Sequence, residues 1–244
     1  MKKLFSILFA AALLFSSANT YADQSITISS SSISKDERNV KNFNGIVAGG
    51  PIDVIVKIGN EESLRFEGDE EAIATLVSEV KGNVLIIRPQ NSWKSWAKKY
   101  ENKKITAYVT AKQISSLSMS GNGSINVSNE VSAAELALTL SGSGNIKAAV
   151  SADKITSVLS GSGTINVTGR ADDANVTLSG SGSFGNKDLT VKNLSARVSG
   201  SGNINVNTDG NIKAVISGSG HVYYTGNPEI NETILLGSGR VSKR

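Results

Sequence analysis

One short element dominates the sequence. Ser120-Gly121-Asn122-Gly123-Ser124-Ile125 opens a series that continues as SGSGNI at 141–146, SGSGTI at 160–165, SGSGSF at 179–184, SGSGNI at 199–204 and SGSGHV at 217–222, and closes as LGSGRV at 236–241. The starting positions lie 21, 19, 19, 20, 18 and 19 residues apart. Seven copies at near-constant spacing define a repeat architecture, and every other motif has to be read inside it.

Apolar residues keep station within each copy. Five places after the start stand Ile125, Ile146, Ile165, Phe184, Ile204, Val222 and Val241; one place before it stand Met119, Leu140, Leu159, Leu178, Val198, Ile216 and Leu235. Leu136, Ile155, Ala174, Leu194 and Ile212 mark a third station, five places before the start. Around each station the period is two, as in Asn175-Val176-Thr177-Leu178, which is strand spacing with one face buried. Helical repeats need longer units and a 3.6 period, and a propeller blade needs roughly 40 residues. A unit of about nineteen residues with two or three short strands is one coil of a β-solenoid, whose inward face is buried only by stacking on its neighbours. The reading is therefore an all-β, right-handed parallel β-helix. With parallel strands about 4.8 Å apart, six steps give a column of roughly 29 Å. The recurrent Ser-Gly-Ser-Gly is expected to form the corner of each coil, because glycine accepts positive φ and close backbone approach. A phosphate cradle of this composition occurs once and leads into a helix, whereas here it recurs and leads into β-branched residues.

Composition narrows the chemistry. With no Cys and a single His, thiolate metal sites, disulfides and multi-His sites are excluded, and His221 is the sole candidate for a His-based triad. The acid nearest to it in sequence is Glu229, across Pro228, so His221 reads as a surface or packing residue. Asp172-Asp173 and Asp69-Glu70-Glu71 lack the alternating acidic spacing of a calcium loop. No catalytic residue, metal or cofactor is expected.

Residues 1–22 read as a signal peptide. Lys2 and Lys3 form a basic start, Leu4 to Phe15 an apolar run too short to span a bilayer, and Thr20-Tyr21-Ala22 a small-residue cleavage site. Cleavage there lowers the formal net charge from +4 to +2, which gives no reason to expect a nucleic-acid partner. No later stretch is apolar enough for a transmembrane helix. The expected address is export, to the periplasm or the cell surface.

Residues 23–113 lack the repeat but read as a β-rich N-terminal cap, continuous with solenoid repeats over 114–244. Short strands are expected at Ile26–Ile28, Ile52–Ile58, Leu64–Phe66, Val84–Ile87 and Thr106–Thr110. A helix is expected over Glu70–Val80, where Ile73, Leu76, Val77 and Val80 share one stripe.

The repeats, together with Asn42-Phe43-Asn44-Gly45-Ile46-Val47, Ile52-Asp53-Val54-Ile55-Val56 and Lys81-Gly82-Asn83-Val84-Leu85-Ile86-Ile87, resemble the bacterial family of the auto-transporter adhesin head GIN domain, a domain of unknown function. The resemblance covers roughly residues 38–241. It implies a β-helical fold and a bacterial envelope setting, and it carries no catalytic residues. No membrane-barrel segment is expected in the sequence, so an adhesive role is expected from a soluble or partner-held form.

The segment from Asn91 to Lys104 departs from the pattern. It holds both tryptophans, Trp93 and Trp96, with Tyr100 and with Lys94, Lys98, Lys99, Lys103 and Lys104. Aromatic faces stack on sugars or partner side chains while lysines meet anionic groups. Trp93, Trp96, Lys98, Lys99 and Tyr100 are accordingly the candidate binding residues. The opposing reading is a long loop whose tryptophans fold back on the body and whose lysines are solvated. The functional expectation is an exported, non-enzymatic envelope protein that binds or scaffolds, with an envelope glycan or protein as partner. A β-helix carbohydrate-active enzyme would need clustered acids, and an ice-binding solenoid a Thr-rich outward ladder. The outward station carries Asn126, Lys147, Asn166, Asn205 and Tyr223 instead.

Overall fold

The computed structural model describes residues 33–91, 93–100 and 103–244. The expected signal segment and the Ile26–Ile28 strand lie outside the described residues. In chain order the first elements are β1 (Ile33–Arg38), β2 (Gly45–Gly49), β3 (Asp53–Ile58), β4 (Ser63–Asp69), α1 (Glu70–Ala74), β5 (Leu76–Lys81), β6 (Val84–Pro89), α2 (Trp93–Lys99), β7 (Ile105–Ala111), β8 (Ser116–Gly121) and β9 (Ser124–Val127). The repeats continue as β10 (Val131–Gly142), β11 (Asn145–Gly161), β12 (Thr164–Gly180), β13 (Ser183–Gly200), β14 (Asn203–Asn207), β15 (Asn211–Gly218), β16 (His221–Thr225), β17 (Glu229–Leu236) and β18 (Arg240–Lys243).

The repeats stack as a parallel β-solenoid of about 7 turns. Ile125, Ile146, Ile165, Phe184, Ile204, Val222 and Val241 stand on one another in register. Met119, Leu140, Leu159, Leu178, Val198, Ile216 and Leu235 form a second ladder. Both ladders are buried up to Val222 and Ile216 and open only at the last coil. The nineteen-residue period thus places chemically equivalent side chains in contact, which is what gives a solenoid a continuous core.

The corners explain the glycines. Gly161 has φ +122°, and a Cβ there would lie 2.4 Å from the carbonyl oxygen of Gly142 one coil away. At Gly163 it would lie 2.5 Å from the Gly144 oxygen and 2.7 Å from Leu140. The N–H groups of Ser162 and Gly163 both donate to the Gly142 carbonyl at 3.0 Å. These corner amides are therefore spent on the neighbouring coil, whereas an anion cradle has to keep its amides for the ligand.

Upstream, the solenoid is threaded out of sequence order. The β2–β3 rung pairs in parallel with β8 and β9 on one side and with β6 and β7 on the other. Beyond that outer rung the ladders turn antiparallel: β5 lies on β6, β4 on β7 and β1 on β4. Buried Phe66, Leu64, Ile73 and Leu76 belong to this covering layer.

Two expectations are corrected here. The helix over Glu70–Val80 is only α1, Glu70–Ala74, with Asp69 Oδ1 accepting from the Ala72 N–H at 3.0 Å. From Leu76 the chain is β5, because Gly82 and Asn83, with φ of 53° and 63°, make a two-residue turn that folds β5 onto β6. β-Branched Val77 and Val80 suit that hairpin better than a helix. The Asn91–Lys104 segment, in turn, contains a helix, α2, instead of running as an open loop.

Candidate functional site

The α2 segment joins β6 to β7 at the corner that Ser-Gly-Ser-Gly fills in the repeat coils. Its aromatic residues divide by depth. Trp96 is 5% exposed, and its indole Nε1–H donates to Thr75 Oγ1 at 2.7 Å. Tyr100 is 6% exposed, its ring centroid 5.1 Å from that of Trp96. Both turn inward, because burying two rings against the end of α1 removes far more apolar area from water than a projecting loop would. Neither offers an open face for a ligand to stack on. Trp93 opens the helix. Lys98 and Lys99 are exposed.

A charged clasp holds the two helices together. Lys99 Nζ meets Glu71 Oε1 at 2.8 Å, Tyr100 Oη donates to the same oxygen at 3.3 Å, and Lys103 Nζ lies 2.8 Å from Asp69 Oδ2. The hydrogen bond from Lys99 holds the Glu71 carboxyl below the usual range. Lys103, with the Ala72 N–H, does the same for Asp69. The two ammonium groups are correspondingly raised.

A second site, which motif reading missed, lies on the outward face of the last coils. A groove of about 230 Å³ is lined by Asn186, Lys187, Asn205, Tyr223, Thr225 and Arg244, among others. His221 and Tyr223 stack at 5.4 Å with rings nearly parallel, and the Arg244 guanidinium sits 4.0 Å above the Tyr223 ring. This cation–aromatic stack fixes Arg244 over the groove. Asn186 donates to Asn166 Oδ1 at 3.1 Å and accepts from the Asp188 N–H at 2.9 Å, which fixes the backbone on either side of Lys187 within the irregular part of β13. Asn205 Oδ1 is buried without a hydrogen-bond partner. An orphan acceptor of this kind is satisfied when a ligand hydroxyl or amide donates to it.

The sequence did hold a signal for this groove. The repeat spacings 20 and 18 fall in succession here, and the register shifts between Gly185 and Thr190 where β13 meets β14. One coil carries an extra residue and its neighbour is one short, so the longer coil bulges beside a recess. On another outward line, Asn193 donates to Asp173 at 2.9 Å and Asn211 to Asn193 at 2.8 Å, an amide ladder climbing the coils. Among the described residues, no group of three His, Cys, Asp or Glu side chains could hold a metal ion. No described helix is long and apolar enough to cross a membrane.

The chain belongs to the family described as "Putative auto-transporter adhesin, head GIN domain", which matches residues 42–228. Among solved structures, a putative adhesin from Bacteroides fragilis NCTC 9343 superposes with a TM-score of 0.74 at 23% identity, covering 87% of this chain and 97% of its own. A putative lipid binding protein from Parabacteroides distasonis ATCC 8503 gives a TM-score of 0.67 at 26% identity, over 86% and 96% of the two chains. A putative adhesin from Parabacteroides merdae ATCC 43184 gives 0.65 at 20% identity, over 87% and 96%. At these identities the likeness is one of fold. Among curated proteins none matches.

Proposed function

We propose that this protein is an exported, non-enzymatic binding module of the bacterial envelope, adhesin-like as its family description states, and that the groove at the last coils holds an anionic glycan. The observation that carries the reading is the lining itself. Lys187 and Arg244 supply two cations, Asn186, Asn205 and Thr225 supply amide and hydroxyl groups, and no Asp or Glu is among the lining residues. Polar amides and hydroxyls match sugar hydroxyls, and the two cations select for carboxylate or sulfate substituents. The repeated outward faces suit an extended polymer better than a small enclosed molecule.

Titration with oligogalacturonate, followed by calorimetry, tests this. Binding is expected, with Lys187→Ala and Arg244→Ala each weakening it roughly tenfold. Affinity should fall further with added salt. Equal binding of a neutral malto-oligosaccharide, or no binding of the anionic one, overturns the reading. In the same reading the exposed Lys98 and Lys99 of α2, the latter shared with Glu71, form a second cationic surface for anionic ligands at the other end of the solenoid. Its support is their projection from a helix that Trp96 and Tyr100 anchor.

A further inference from the structure

The groove continues along its face of the solenoid. The strand that follows each glycine-rich corner has an outward station at its middle. Coil by coil these stations are Asn126, Lys147, Asn166, Gly185, Asn205 and Tyr223. The pairing of Ile165 with Phe184 carries the line from Asn166 to Gly185. Asn186 spans that step, donating to Asn166 Oδ1 at 3.1 Å, and itself lines the groove.

Charge is segregated around the coils. Residues 124–128, 145–149, 164–168, 183–187, 203–207 and 221–225 include no Asp or Glu, and their formal charges are those of Lys147 and Lys187. All nine Asp and Glu residues beyond Ile114 stand instead on the stretches that return to the next corner. There they neutralise lysines: Lys154 lies 3.3 Å from Glu135, and Lys192 2.7 Å from Asp172. Lys147 is exposed, and the ion pairs among the described residues do not include it. The acid-free line has a definite start. The rung paired with Asn126 on its far side is β3, where Asp53 accepts from Ser124 Oγ at 2.6 Å. From Asn126 to Tyr223 is five steps of about 4.8 Å, roughly 24 Å in all.

We infer that an extended anionic polysaccharide lies along this line, parallel to the solenoid axis, with about one sugar unit to each coil and Lys147 meeting a carboxylate two coils beyond the groove. This track rests on the glycan reading of the groove and extends it. One coil step is close to the length of one unit of an extended uronate chain, so successive units meet equivalent stations. A chain laid across the coils leaves the acid-free strand after five residues, about 16 Å, and runs onto the carboxylates of the return stretch, which repel it. Along the axis, Asn126, Asn166 and Asn205 offer amides to sugar hydroxyls, Lys147 and Lys187 offer cations to acidic substituents, and Gly185 leaves its station without a side chain.

Calorimetric titration of the purified protein with trigalacturonate and hexagalacturonate tests the track. The trimer spans the groove alone, and the hexamer reaches Lys147. The hexamer is expected to bind more than roughly tenfold tighter. Lys147→Ala is expected to cost the hexamer roughly tenfold and the trimer nothing. Lys213→Ala removes an equal charge from the strand before the corner and is expected to cost neither. Both lysines are exposed, so circular dichroism should be unchanged. A hexamer that binds no tighter than the trimer, or that binds Lys147→Ala as it binds the wild type, overturns the track and leaves the groove. An equal loss in Lys213→Ala reduces the effect to net charge and also overturns it. Failure of both oligomers to bind overturns groove and track together.

Discussion

Ser157 stands at an inward position where the coils on either side carry Leu138 and Val176. It is 1% exposed, and its Oγ has no hydrogen-bond partner. Burying a hydroxyl without a partner opposes folding, so Ser157→Ala is expected to stabilise the protein by about 1 kcal/mol. In thermal unfolding this should raise Tm by roughly 2–4 °C. An unchanged or lowered Tm would mean that the hydroxyl finds a partner, such as a trapped water. Thr208 shows the contrasting solution: also fully buried, it donates to the Lys192 carbonyl at 3.4 Å and accepts from the Gly210 N–H at 3.2 Å. A substitution at Thr208 therefore strands two backbone groups, whereas one at Ser157 strands none.

Between the elements, the clasp that seats α2 on α1 has a pH window. Glu71 and Asp69 have depressed pKa values, so their contribution is complete above the ordinary values of 4.5 and 3.8 and is lost as pH falls through the depressed folded values. Lys99 and Lys103 are raised, so their share persists to beyond the ordinary 10.5. In a Trp93→Phe variant, Trp96 is the sole tryptophan and reports the docking. Its emission is expected to stay blue-shifted from neutral pH to about 5 and to move to the red below about 4, before the strand signal in circular dichroism changes. Concerted loss of both signals would show that the clasp does not act independently of the solenoid. This region also marks the limit of what the sequence discloses. The coils were legible because Ile165, Leu178 and their equivalents recur at a fixed interval, and a solenoid makes the interval and the contact the same thing. The Glu70–Val80 stripe misled because Leu76, Val77 and Val80 fit a helical face as well as a strand, and the deciding contact, β5 on β6, depends on a turn at Gly82-Asn83. The tryptophans of 91–104 were visible, but the partner of Trp96 is Thr75, 21 residues earlier, and no local pattern announces it. The groove at Asn205 depended on the spacings 20 and 18, which are visible but read as noise until a register shift gives them a position.

For the molecule as a whole, stability is distributed along the stack and thins toward its open end. Leu178 is wholly buried between coils, and Leu235, its equivalent in the last coil, is 43% exposed. Leu178→Asp is expected to cost about 4 kcal/mol or more, while Leu235→Asp costs about 1 kcal/mol. Urea unfolding followed by circular dichroism compares the two. Equal losses would mean that the last rung is as well covered as the middle ones. Nearest-neighbour stacking also implies that an end coil frays before the interior yields.

The placement of the β2–β3 rung bears on how the chain reaches this state. That rung lies between β6–β7 and β8–β9, so its neighbours on both sides are made after it. Ser124 and Asp53, hydrogen-bonded at 2.6 Å, are 71 residues apart in the chain. As a polypeptide emerges from the ribosome, residues 45–58 must wait, unpaired, until 84–127 have followed. Closing that long loop is entropically slow, and an exposed apolar strand in the meantime is prone to aggregation. Once it closes, each later coil adds onto a finished template about nineteen residues at a time. The slow step of folding therefore belongs to the first half of the chain, although the repetitive signature lies in the second, and a chain released before about residue 127 has no stable core to hold it.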